Sequence, residues 1–266
     1  MQKEAWTYGI AATVLGALGM LLRWLQRQII FEEETGLPIK NAPISVVFVV
    51  FLILAAAGLW WLSGRLSWEN APQEPEDALA QPFRVVSVLL AAAGFAAGAG
   101  AAYMFLTETS LLLRVAALLG LFCAPVLALT PSLPRWGGFG TLLAVLPVLF
   151  FSFWLVLFYR ESAVDPIVWE YGVQMLSIAG CLFAAYRLCG YVYYRIKARV
   201  AVFACALGMV LCMTVLMDDA SLGARALFAG WGVGLGTLCW LLVYNFSAGE
   251  KSSDKTNEKS AEKHKN

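Results

Sequence analysis

RVVSVLLAAAGFAAGAGAAYMFL (84–106), then Thr107, Glu108 and Thr109, then SLLLRVAALLGLFCAPVLALT (110–130) make two apolar stretches with almost nothing between them. Each is about as long as the ~20 apolar residues a helix needs to cross roughly 30 Å of hydrocarbon at 1.5 Å per residue. Apolar and polar residues do not alternate along either stretch, as the spans of about ten residues in a membrane β-barrel do. The three-residue link leaves the chain no length to go elsewhere, so the two helices must be antiparallel neighbours.

The same pattern extends outward in both directions. Further apolar stretches run over 6–30, 43–63, 138–159, 166–188, 199–217 and 222–246, giving eight. The first is interrupted late by Arg23, Gln26 and Arg27; the last two are joined only by Met217 to Ser221. Of 266 residues 60% are hydrophobic and 14% charged, with a mean hydropathy of +0.71, whereas soluble domains carry about a quarter charged residues. The fold class is an all-α, polytopic transmembrane bundle of about eight spans over residues 1–246. The segment around Met1 to Trp6 carries no small-residue cleavage site after the first apolar run, which reads as a retained span and not a signal peptide.

Orientation follows from the basic residues, which concentrate on the cytoplasmic side of membrane proteins. One side collects Lys3, Arg65, Arg84, Arg135, Arg187, Arg195, Lys197, Arg199 and five tail lysines; the other has Arg23, Arg27, Lys40, Arg114, Arg160 and Arg225. The richer side predicts both termini in the cytoplasm, and the protein is expected in a bacterial cytoplasmic membrane. The other side is acidic at its turns: Glu32 to Glu34, Glu108, Asp165 before Pro166, and Asp218 with Asp219. Acidic residues ahead of a helix satisfy its free N–H groups and suit its dipole. Aromatic residues mark the interfaces, with Trp60, Trp61, Trp68, Tyr186, Tyr191, Tyr193 and Tyr194 inside and Tyr159, Trp169 and Tyr171 outside.

Small residues predict where helices pack closely: Gly94 and Gly98 on one span, Gly230 and Gly234 on the last. Short matches across the chain (Glu108 and Arg114, Asp219 and Arg225, each six apart across a turn) suggest two four-helix halves, 1–130 and 138–246. The tail, 247–266, alternates acids and lysines with no large apolar residue and is expected to be disordered.

Chemistry has few places to live. The six cysteines sit in or beside apolar segments with no CxxC pair, and His264 is alone in the tail, so no metal ligand set is expected. No cofactor motif, no recognised hydrolytic or transfer motif and no basic nucleic-acid surface is found, which places a membrane enzyme last among the expected functions. Charges at membrane depth are costly and usually functional, and they concentrate in the outer half. Arg23 and Arg27 share a face of span one, and Glu170 and Gln174 share a face of span six with Ser177 one turn deeper. If those spans are neighbours, the five residues form an outward vestibule for a small polar or zwitterionic solute, with Arg supplying a bidentate fork. Pro125 and Pro147 would kink spans four and five. The function these features point to first is a small-solute transporter or a membrane component of one. The alternative is a non-catalytic membrane scaffold or assembly protein, with the lipid bilayer and another membrane protein as its partners.

Overall fold

The structure, a computed structural model, describes residues 2–30, 43–66, 68, 72, 74–162, 168–195 and 197–263; the side chains of 2–5, 30, 168–170 and 247–263 lie outside it. Among the described residues all regular structure is helical: α1 (Gln2–Ile30), α2 (Pro43–Arg65), a single turn α3 (Pro75–Ala78), α4 (Arg84–Thr107), α5 (Leu111–Leu129), α6 (Gly137–Ser162), α7 (Val168–Val192), α8 (Ala198–Val215) and α9 (Leu222–Lys263). Seven helical runs among the described residues are long and apolar enough to cross a membrane, which makes the chain an integral membrane protein.

One of those runs, Leu111–Ser162, has 52 residues. A straight helix of that length would reach about 80 Å, more than twice the hydrocarbon thickness. It is instead divided. A 3-10 turn, Thr130–Trp136, carries Pro131 and Pro134, and the chain then passes through Gly137 at φ +56°. Positive φ is open to glycine and costly for other residues, so the turn redirects the chain there. α5 and α6 then pack against one another.

The bundle is arranged around α8 and α9. In their apolar windows 61% and 72% of residues are buried, against 28% in α1 and 22% in α2. α9 packs along α4, α8 and α1, while α8 also packs on α1, α2 and α7. Close approach depends on small residues, because lipid supplies no solvent-driven force between helices. A Cβ on Gly230 would lie 2.5 Å from the Ala97 nitrogen, and one on Gly234 2.6 Å from the Leu127 side chain. Gly94 and Gly98 serve another face of α4, where a Cβ would meet Ala124 of α5 at 2.8 and 3.3 Å. An equally tight α4–α9 contact involves Gly100, whose Cβ would sit 2.5 Å from the Gly223 carbonyl oxygen. The two suggested halves interlock through these contacts into one bundle.

The helix ends define two faces. At one, Arg199 reaches Ser63 Oγ at 3.5 Å and lies over the Trp60 ring, while Arg65 stacks on Trp61 at 3.7 Å. Arg135 faces Glu76 at 3.9 Å, and the Asn245 amide donates to the Ala78 and Ala80 carbonyls, both at 2.9 Å. We call this the basic end. The opposite, acidic end holds the α4–α5 and α8–α9 turns. Both six-apart pairs meet there: Arg114 Nε donates to the Glu108 carbonyl at 2.7 Å, and Arg225 lies 3.7 Å from Asp219.

Two local expectations need correction. Tyr191 does not belong to an aromatic belt; it is fully buried, while Tyr186, Tyr193 and Tyr194 are exposed. Asp218 and Asp219 do not cap α9. Ser221 does, its Oγ accepting from the Ala224 N–H at 3.2 Å. Glu32 to Glu34, Lys40, Asp165, Pro166 and His264 lie outside the described residues. So do the side chains of Trp169 and of the tail from Ser247 onward, whose backbone continues α9 to Lys263.

Candidate functional site: an ionic cluster at the acidic end

Arg23 and Arg27, four residues apart in the last two turns of α1, are on one face as the sequence requires. What they face is the α8–α9 turn. Arg23 Nε donates to Asp218 Oδ1 at 2.5 Å, with Arg23 3% and Asp218 1% exposed. The Arg23 guanidinium also donates to Gln26 Oε1 at 2.8 Å and lies 5.7 Å above the Phe48 ring of α2. Gln26 in turn reaches Ser45 of α2 at 3.4 Å. One turn further out, Arg27 pairs with Asp219 and donates to the Met217 carbonyl at 3.0 Å. The cluster thus ties α1, α2 and the α8–α9 turn together.

Its electrostatics are mixed. Taking a carboxylate out of water disfavours its charged form. Burial pushes the Asp218 carboxyl up from its ordinary value of 3.8, against the opposing pull of Arg23, Arg27 and Arg225. Asp218 Oδ2 and Arg225 Nε are buried and have no hydrogen-bond partner among the described residues. Desolvation offsets much of the attraction in a buried ion pair, so the pair adds little net stability, while removing one partner is costly.

The vestibule expected from spans one and six is not assembled in that form. α8 packs on both α1 and α7 and stands between them. Arg23 and Arg27 are engaged with the α8–α9 turn. Glu170 lies in the first turn of α7, and its side chain is outside the described residues. Gln174 is half-buried. Ser177 is fully buried, its Oγ 2.9 Å from the carbonyl oxygens of both Val173 in its own helix and Leu211 of α8, one of which takes its proton. It is a packing hydroxyl between α7 and α8.

Two cavities stand out elsewhere. A small one, about 20 Å³, lies beside Pro147, Thr130 and Trp231 near the α5–α6 turn. That is room for about one water molecule. A cleft of about 710 Å³ opens between α1 and α4 with α9 as its floor. Among the described residues neither is lined by a charged side chain. The two threonines of the cleft, Thr13 and Thr237, donate to their own helix carbonyls at 2.9 and 2.8 Å. Near the bundle centre Cys181 and Cys212 bring their Sγ atoms to 3.2 Å.

No protein-family model, curated protein or solved structure matches this chain. Its function has to be read from its own geometry.

Proposed function

We propose that this chain is a non-catalytic, structural component of a membrane assembly, an eight-crossing bundle whose polar groups hold its own helices together. The observation that carries this reading is the engagement of Arg23, the one basic residue buried among those described, with Asp218 and Gln26 inside the fold. Charged groups at membrane depth pair with one another or line a solute pathway, and this one is paired within the fold. The cleft offers no charged group for a solute, and its hydroxyls are already bonded to backbone. Both termini on the cytoplasmic side of a bacterial membrane belong to the same reading, supported by the gathering of Arg65, Arg135 and Arg199 at one end.

Transport of a small polar or zwitterionic solute is the second reading, favoured by the unpartnered Asp218 Oδ2. The native cysteines separate the two. Cys181, Cys205 and Cys212 are fully enclosed and Cys239 nearly so. A packed scaffold predicts that a water-soluble maleimide leaves all four unmodified in intact membranes until the protein is denatured. Modification of Cys205 or Cys212 in the folded protein contradicts it and supports a solvated pathway.

A further inference from the structure

We propose that Arg187 is the docking point for a carboxylate carried on a transmembrane helix of an assembly partner, an inference that rests on the structural reading above. Arg187 is the one charged residue of the span Tyr171–Val192. A charge at membrane depth is costly and is kept where it has a partner or lines a pathway. Arg23 of α1 has its partner in Asp218. Arg187 is half-buried and makes no ion pair or hydrogen bond among the described residues. Its Nε is sealed from solvent with no acceptor.

The direction of the side chain decides between a lipid headgroup and a protein helix. α7 ends at Val192 on the basic side, and a cation reaching for headgroup phosphate extends outward past the end of its helix. Helical side chains lean toward the N-terminus of their own helix, which on α7 is inward. Arg187 follows that lean. Its guanidinium carbon lies 5.2 Å from the centre of the Phe183 ring, one turn deeper, and 5.4 Å from that of Tyr186. Arg187 and Phe183 come five and nine residues before Val192, roughly 7 and 13 Å along the helix axis. The cation is thus held inside the hydrocarbon, below the level of the phosphates. Tyr186 is 58% exposed, which puts the two rings and the cation at the lipid-facing margin of α7. Ring faces attract a guanidinium but leave its N–H donors unmet. A carboxylate accepts them in pairs, and the element that can carry one to this depth is another apolar helix.

The test uses the full chain in phosphatidylcholine nanodiscs with a synthetic transmembrane helix of leucine and alanine. One version carries a single glutamate at the depth of Phe183, and the other carries glutamine there. The expected result, by fluorescence energy transfer, is several-fold tighter association of the glutamate helix. Arg187→Gln should remove that preference and Arg187→Lys should retain part of it. Equal association of the two helices with the native chain overturns the proposal, and this comparison needs no variant to fold. A glutamate preference that survives Arg187→Gln also overturns it. So does a preference abolished by added phosphatidylglycerol, because lipid phosphate is then what the guanidinium takes. The two readings fail separately: labelling of Cys205 or Cys212 counts against the packed bundle, and a missing glutamate preference against this site.

Discussion

Asp218 and Arg23 are 195 positions apart in the chain and 2.5 Å apart in the fold. Arginine cannot shed its charge in a protein. Asp218→Ala therefore leaves a buried guanidinium without its carboxylate, and should cost about 3–5 kcal/mol, read as a loss of thermal stability in nanodiscs. Asp218→Asn keeps an acceptor oxygen and resembles the protonated carboxyl, so it should cost less than half as much. The carboxyl is pushed up by burial. Its contribution to stability is thus full below the ordinary aspartate value and lost as pH rises through the raised one. Lowering the pH into that window should raise the stability of the native protein relative to Asp218→Asn. A gap that is constant across that window counts against the raised carboxyl. The shared face of Arg23 and Arg27 was legible in the sequence, since helical spacing alone dictates it. Their partner was not, because it depends on which helix stands beside α1, and α8 rather than α7 does.

Among the elements, α4 carries two small-residue faces: Gly94 and Gly98, four apart, against α5, and Ala93, Ala97 and Gly100, at helical spacing, against Gly223 and Gly230 of α9. Which neighbour each face meets follows from the helix crossings, which spacing within α4 does not encode. Gly100→Ala should force the α4–α9 backbones apart and cost about 1–3 kcal/mol as an overpacked core does. Gly58→Ala on α2 is the control, because nothing lies within 4 Å of its Cβ position. It should be neutral or stabilising by up to about 1 kcal/mol, the helix-propensity gain of alanine over glycine. Equal effects at the two sites, measured by thermal unfolding, would refute the close α4–α9 crossing. The division between α5 and α6 was legible for a physical reason: Pro131, Pro134 and Gly137 interrupt a run too long for a bilayer.

At the scale of the whole molecule, the spans were readable because hydrocarbon admits only long apolar helices whose backbone groups are satisfied internally. Their count bears on the ends of the chain. Eight crossings put reporters fused to the N- and C-termini on the same, cytoplasmic side; reporters on opposite sides of the membrane would exclude an even number. We expect the bundle to hold one arrangement, tied at one end by Arg23, Arg27, Asp218 and Asp219 and at the other by Arg199 and Asn245. A carrier would open its two ends in turn. Spin labels at the exposed positions Trp24 and Leu222 for the acidic end, and Trp61 and Val85 for the basic end, read this directly by pulsed electron paramagnetic resonance in nanodiscs. The expected result is a single narrow distance for each pair. Two distances per pair, with one end widening as the other closes, would contradict the account.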